Sequence, residues 1–198
     1  ANSFKRWVET LHQYATSERF LEEKTYWEKQ ETLPIPTIEK DFEGGDNFVK
    51  DTDSVSFYLS PIETEELLTK VNKAYGTEIN DILLSALGLA ARKAWSHNRL
   101  FIALEGHGRE NIVEDPDISR TVGWFTTHYP VILETGEAQD TGLSIRRVKE
   151  QLRRIPRKGI GYGILRYLAG DEAAREVSKL FLLLVASLER ESVDPCFR

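Results

Sequence analysis

The sequence predicts an α+β fold in which helices pack against one mixed β-sheet. Three observations support this prediction. Apolar residues recur at helical spacing near the amino terminus and again between residues 61 and 96. Two central runs, RLFIALEG and TVGWFTTHYPVILE, are rich in β-forming residues. A helical pattern then returns at residues 141–155, so strands lie between helices rather than alternating with them singly.

The first 60 residues divide into a helical region, a connector and a short strand. Residues 2–31 are predicted to be helical, and the prolines of LPIPT (33–37) end that region because proline fixes φ and lacks a donor. Residues 39–54 are acidic and contain two adjacent glycines, which predicts an exposed connector. SVSFYLS (54–60) alternates apolar and polar residues and is therefore predicted to form a strand.

Two helices are predicted to follow that strand. Residues 60–63 (SPIE) form a capping box with proline at the first helical position, and Gly76 is predicted to end the helix. A second helix at 78–96 is apolar on most sides and is expected to be deeply buried. RKGIGYG (157–163) is predicted to be a glycine loop. The first of these helices is expected to bury four apolar residues: Leu67, Leu68, Val71 and Ala74.

Composition excludes several classes of protein. The 198 residues are 40% hydrophobic and carry a net charge of −6, which is typical of a globular protein and argues against general nucleic-acid binding. The longest apolar run (180–186) is too short to span a bilayer, and no secretory signal is found. The single cysteine, Cys196, fits a reducing cytoplasm. Because the chain begins at Ala1 and contains no methionine, we expect a piece of a longer protein.

The stretch LEGHGRE (104–110) is the strongest candidate for a site. It continues a predicted buried strand into four ionisable side chains loosened by two glycines. Glu105 shares a strand face with Phe101 and Ala103, so its carboxylate is expected to lie partly in the core and partly in a cleft, where it suits a general base. Arg109 is expected to steer an anionic group or to hold Glu105. From spacing alone, ordinary surface charge at a loop is the favoured interpretation of these residues.

Other candidates carry alternatives of their own. The basic segment 146–166 suits either attraction of an acidic partner or of a phosphate group, or a solvated helix face. GIGYG lacks the Lys-Ser/Thr of a phosphate loop, and that interpretation is rejected. No metal site is predicted. Aromatic residues in these positions are also typical of core packing, but we predict four substrate-binding residues: His107, Trp124, Phe125 and Tyr129.

Four motifs resemble those of one enzyme family. NDILLSALG, EGHGRE, RTVGWFTTHYPVILE and PRKGIGYGILRYL are similar, in order and spacing, to signature motifs of the epimerization domains of nonribosomal peptide synthetases. The resemblance covers about residues 3 to 168. It implies the C-terminal lobe of a chloramphenicol-acetyltransferase-like fold. It also implies a role in secondary-metabolite and antibiotic biosynthesis.

The resemblance implies a reaction and a partner. An epimerization domain inverts L to D at the α-carbon of an aminoacyl or peptidyl thioester, which a carrier domain holds on its phosphopantetheine arm, without a soluble cofactor of its own. Glu105 is then one member of the acid/base pair, and Arg109 belongs to the same motif. The other member is the second histidine of an HHxxxDG motif in the N-terminal lobe. None of the four histidines of this chain stands in such a motif.

The resemblance sets the expected domain organisation. Residues 1–33 are a helical lead-in, 34–54 a connector, 55–168 the C-terminal lobe and 169–198 an atypical tail, in which 173–188 suits an apolar helix and no FNYLG-like motif is found. The chain alone is therefore expected to be inactive and prone to self-association. The parent enzyme is alternatively a peptide-bond-forming condensation domain, or the chain is a non-catalytic remnant.

Overall fold

The computed structural model describes residues 2–34, 38, 44, 48–113, 116–136, 140–169 and 185–186. The chain divides into two compact units. The first comprises residues 1–34, 101–133 and 150–198, and the second comprises residues 35–100 and 134–149. Most of the predicted connector and tail lie outside the described residues. Within the connector, Val49–Asp51 forms a 3-10 turn.

Two capped helices open the first unit. Helix α1 (Phe4–Ala15) and helix α2 (Glu18–Glu31) begin at N-caps Ser3 and Ser17, whose hydroxyls each accept a backbone N–H. The predicted helical region is therefore confirmed, with one break before the second cap. The largest side chains that the two helices bury completely are Phe20 and Trp27.

The described residues form a mixed three-stranded sheet. Strands β1 (Arg99–Gly106), β2 (Thr127–Glu134) and β3 (Val185–Ala186) are ordered β2-β1-β3. Pairs of side chains at 99 and 134 and at 105 and 128 face each other, so β1 and β2 run antiparallel. β1 and β3 are parallel, with Ala103 opposite Val185.

The sheet corrects two sequence predictions. Strand β2 begins only at Thr127, so residues 121–126 of the predicted β-rich run form a loop. The helix predicted at 173–188 is wrong at 185–186, where the backbone pairs with β1 instead. Its other residues lie outside the described part of the chain. A prediction from the local sequence pattern misses such a strand, because the strand that it pairs with is about 80 residues distant in the sequence.

The second unit carries helices whose burial differs from the prediction. Helix α3 (Pro61–Glu66), a π turn (Leu67–Val71) and helix α4 (Asn72–Tyr75) follow one another, and the capping box at Ser60 and Glu63 forms as predicted. The left-handed Gly76 (φ +58°) ends the run. However, Leu68 is 41% exposed and Ala74 is exposed, so the predicted burial of this face is wrong. Leu67 and Val71 are half-buried, so the face is covered only in part.

The segment preceding α3 is also unpaired. Residues 54–60 form no strand, and the prediction of one is wrong, because no described strand pairs with them. The side chains of Val55, Phe57 and Tyr58 are 94%, 86% and 91% exposed. These residues and α3 together present an unusual amount of apolar surface.

The second unit also contains helix α5 (Ile79–Trp95) and residues 141–149 of helix α6 (Thr141–Arg153). Helix α5 buries one side, including Ile82 and Leu84, whereas Leu83 and Trp95 are partly exposed, so the prediction of a deeply buried helix is confirmed for that side only. Arg92 donates a hydrogen bond of 2.7 Å to the Gly136 carbonyl.

Helix α7 (Ile160–Tyr167) closes the first unit against α1 and α2. The predicted glycine loop is confirmed at 157–159, within the 3-10 turn Pro156–Gly159, but it is wrong at 160–163, which are helical. Glycine occurs at position 161 of this helix because the position has no room for a side chain. A Cβ there would collide with the Glu23 carboxylate of α2, so glycine permits close approach of the two helices.

Candidate functional site

Glu105 lies at the carboxyl end of β1, where the buried strand reaches solvent. Along β1, Leu100, Ile102 and Leu104 form a buried face. Glu105 is on the opposite face, and its side chain is 24% exposed. The carboxylate is thus neither a core group nor a fully solvated surface charge, as predicted from strand alternation.

His128 on β2 faces Glu105 across the strand pair. Its Nε2 atom lies 3.9 Å from Glu105 Oε1, and its side chain is 54% exposed. The sequence prediction missed this contact, treating His128 as isolated. The antiparallel register places it there, and register is a long-range property that spacing in one strand does not reveal.

His107 is oriented by its own loop. Its Nδ1 accepts the backbone N–H of Arg109 at 3.0 Å, and its Nε2 lies 3.1 Å from Glu110 Oε1. Since Nδ1 accepts, the ring proton is on Nε2, which donates to Glu110. The predicted substrate contact of His107 stays a prediction.

Arg109 is fixed by backbone carbonyls. Its two terminal nitrogens donate to the Ile118 carbonyl at 2.5 Å and to the Thr121 carbonyl at 2.9 Å. Its guanidinium carbon lies 3.9 Å from the centre of the Phe125 ring. These contacts hold the loop before β2, and they leave the predicted steering of an anion untested.

Trp124 and Phe125 are neighbours with opposite surroundings. Phe125 is buried, and its ring centre lies 5.2 Å from that of Phe4 and 6.3 Å from that of Trp7. Trp124 is 82% exposed, so core packing does not explain it. Gly123, directly before this pair, permits close packing against Phe4, because a Cβ there would lie 2.7 Å from the Phe4 ring.

Tyr129 lies below the Glu105 end of the sheet. It is buried, and its ring packs against Trp27 with centres 6.3 Å apart. Burial first, then the charge of Glu110, raises the pKa of Tyr129 to about 12. The phenol is therefore neutral at physiological pH. A Cβ on Gly106 would lie 3.5 Å from this ring, so Tyr129 borders the end of β1 on the sheet face opposite to Glu105.

A left-handed loop forms the other border. Arg157, Lys158 and Gly159 all have positive φ, of 43°, 50° and 87°. Non-glycine residues reach this region at a cost of about 1–2 kcal/mol each. The loop is close to β1: a Cβ on Gly106 would lie 3.8 Å from the Lys158 carbonyl oxygen. Strain of this kind is concentrated at functional sites.

A buried ion pair joins this loop to α2. Arg157 Nε lies 2.8 Å from Glu23 Oε1 on α2, and the Glu23 side chain is only 6% exposed. The Tyr14 hydroxyl donates to the same carboxylate at 2.5 Å. Burial, followed by this hydrogen bond, raises the pKa of Tyr14 to about 12. Sequence analysis missed this cluster because its three members come from α1, α2 and the loop.

The basic segment 146–166 contributes internally as well as to the surface. Arg157 pairs with Glu23, and Lys149 donates to the Tyr75 carbonyl at 2.9 Å. Its predicted attraction for an acidic partner or a phosphate group is not tested by these contacts. Within the described residues, no cluster of three or more His, Cys, Asp or Glu has metal-binding geometry. In that part of the chain, no helix combines the length and apolar character that a membrane span requires.

Comparison with known proteins decides the family. The profile of the condensation domain matches residues 1–188. The chain belongs to the condensation domain family. Curated relatives of these residues include surfactin synthase subunit 1 of Bacillus subtilis (strain 168), 47% identical over 178 residues, and gramicidin S synthase 1 of Brevibacillus brevis, 49% identical over 171 residues.

The alignments cover most of this chain but only a small part of each relative. The two alignments span 89% and 86% of this chain but only 5% and 16% of the relatives. The chain therefore spans less than a fifth of the length of these synthases.

Solved structures confirm the predicted resemblance and fold. The epimerization domain from the third module of tyrocidine synthetase B superposes with a TM-score of 0.80 at 46% identity, over 86% of this chain and 38% of that one. The first condensation domain of the calcium-dependent antibiotic synthetase reaches 0.60 at 17% identity, over 87% and 35%, which shows the common fold alone. The α+β, chloramphenicol-acetyltransferase-like fold is thus confirmed.

Proposed function

We propose that this chain is the C-terminal lobe of an epimerization domain that inverts L to D at the α-carbon of a carrier-bound aminoacyl or peptidyl thioester. The observation that carries the proposal is the 46% identity to a solved epimerization domain, against 17% to condensation domains of the same fold. Within the proposal, the substrate arrives on the phosphopantetheine arm of a carrier domain. The chain supplies no soluble cofactor.

Glu105 is assigned the role of acid/base group. Its carboxylate removes the Cα proton, the C–H electrons pass into the thioester enolate, and an acid on the opposite face returns a proton to Cα. The position at a strand end, 24% exposed, lets the carboxylate reach a substrate while apolar neighbours limit its hydration. The opposing acid is assigned to the N-terminal lobe, because these residues contain no HHxxxDG motif.

A second candidate function is peptide-bond formation. It is favoured by the family profile itself, which is that of the condensation domain. The two functions differ in their products, because condensation joins two carrier-bound groups and epimerization changes only the configuration of one. A non-catalytic remnant is the third outcome that an assay distinguishes.

The test uses the complete epimerization domain in which residues 1–198 form the C-terminal part, with an aminoacyl-pantetheinyl carrier protein. Solvent deuterium entering Cα and the D to L ratio of the released amino acid are measured. Glu105→Gln is expected to slow both by about 10²–10⁴. Glu134→Gln is the matched control, since Glu134 is also a strand glutamate with a cross-strand partner, Arg99 at 3.2 Å.

Three outcomes contradict the proposal. Peptide product without inversion would assign condensation. Wild-type turnover of Glu105→Gln would return Glu105 to a surface role. For residues 1–198 alone, exchange well above the carrier-only background would show that one acid/base group suffices.

A further inference from the structure

Glu105 and His128 form an isolated pair where strand β1 ends and strand β2 begins. Their side chains lie on the same face of β1 and β2, with Oε1 and Nε2 3.9 Å apart. Within the described residues, neither side chain makes another hydrogen bond or ion pair. The nearby His107 and Glu110 already pair with each other at 3.1 Å.

The two members of the pair differ in their access to water. The Glu105 side chain is 24% exposed and the His128 side chain 54% exposed. Next to Glu105, Ala103 and Leu104 are buried and apolar. Glu105 itself meets water in part, and the more exposed His128 offers it a second, polar route to solvent on this face of the two strands.

The proposed function creates a need for such a route. After one inversion from L to D, Glu105 holds the proton taken from Cα, and the opposing acid has lost its own. The site must lose the first proton and regain the second before it can act on another L substrate. Histidine suits this exchange because it gains and loses a proton near neutral pH.

We infer that His128 is the proton relay that resets Glu105 between turnovers, an inference that rests on the proposed function. The Glu105 carboxyl O–H bond breaks, its proton bonds to the Nε2 lone pair of His128, and the resulting imidazolium releases a proton to water. Glu105 is left as the carboxylate. A transfer needs about 2.6–3.2 Å between heavy atoms or one intervening water, so the 3.9 Å gap closes by side-chain rotation or by a water bridge.

A structural role for the pair makes a different prediction. If the pair only holds β1 against β2, as Arg99 and Glu134 do at the other end, its loss alters stability and every kinetic step together. A relay that acts after product release affects repeated turnover and leaves the first inversion unchanged. His128 acts through Glu105, so it is a positioning and proton-transfer residue rather than one that touches substrate.

The experiment separates these steps in the complete domain with loaded carrier protein supplied in trans. With the domain in excess, the first inversion is measured. With the carrier in excess, repeated turnover is measured. For His128→Gln we expect an unchanged first inversion and a repeated turnover slowed by about 10-fold or more, which added imidazole restores. His12→Gln, which removes an exposed histidine of α1, is the control and is expected to match the wild type in both regimes.

Each outcome decides a separate point. Repeated turnover of His128→Gln at the wild-type rate overturns the relay while leaving the proposed function standing. If the first inversion and repeated turnover of His128→Gln both slow to the same extent and imidazole restores neither, the relay is also overturned, in favour of a structural role. A wild-type domain that never inverts its substrate refutes the proposed function itself, and the relay with it.

Discussion

Removal of the Arg157 guanidinium tests the buried cluster beside the site. Arg157→Met preserves much of the side-chain length but leaves the Glu23 carboxylate, 6% exposed, with only the Tyr14 hydroxyl as a partner. Breaking a buried pair by removing one partner typically costs about 3–5 kcal/mol. Because the Arg157 side chain is itself 31% exposed, we expect the lower end, about 3 kcal/mol.

Urea unfolding followed by tryptophan fluorescence measures this loss. Trp27 is a suitable reporter because it is fully buried and lies 5.3 Å from the Tyr162 ring. With a denaturant dependence of about 2 kcal/mol/M, the midpoint should fall by roughly 1.5 M. The double variant Arg157→Met/Glu23→Gln should regain part of the loss, because it no longer buries an unpaired charge.

The control is another glutamate of the same helix. Glu28 pairs with Lys24 at 3.7 Å and is 57% exposed, so Glu28→Gln should change stability by less than about 0.5 kcal/mol. If Arg157→Met cost no more than this control, the ion pair would contribute little to stability. A double variant less stable than the single one would also refute the reasoning.

Three further predictions concern packing, pH and association. Gly161→Ala should destabilise the first unit, because it places a methyl group against Glu23. Gly163→Ala should gain about 0.5–1 kcal/mol of helix stability, because a Cβ there meets open space. Thermal melts compare the two variants. The raised pKa of Tyr129, about 12 against an ordinary 10, favours the folded state below pH 10, and this contribution is lost as pH rises through 12. Between pH 9 and pH 11.5, the urea midpoint of unfolding should therefore fall less in Tyr129→Phe than in the wild type. Because residues 54–60 expose contiguous apolar side chains, the chain should self-associate at tens of micromolar (roughly); a monodisperse monomer in size exclusion with light scattering would contradict this.

Local signals in the sequence were sufficient for several elements. The capping box at Ser60 and Glu63, the left-handed stop at Gly76 and the strand ending at Gly106 all depend on residues within one turn or one strand. The exposure of Leu68 could not be predicted in the same way. An apolar stripe indicates that a helix needs a partner, but it does not say whether the chain contains one.

The position of Glu105 in the fold was predictable from the sequence, but its surroundings were not. Glu105 follows from strand alternation together with family resemblance. The contacts of His128 and of Arg109 depend on how β1, β2 and the preceding loop are arranged in space, which the spacing of residues in one segment does not encode. The glycines at 161 and 163 suggested a loop, whereas Gly161 serves a helix contact with Glu23.

The amino terminus has a consequence for synthesis of the chain. Asn2 donates its backbone N–H to the Asp117 carbonyl at 2.8 Å, and its own carbonyl accepts the Thr121 hydroxyl at 2.5 Å, across 119 residues. At about 5–20 residues per second, a ribosome needs roughly 6–24 s to make that partner after α1 has emerged. During this interval α1 can pack against α2, but Trp7 still lacks the Phe125 ring that it contacts in the folded chain. Part of the apolar face of α1 is therefore uncovered until the segment around residues 117–125 has been made.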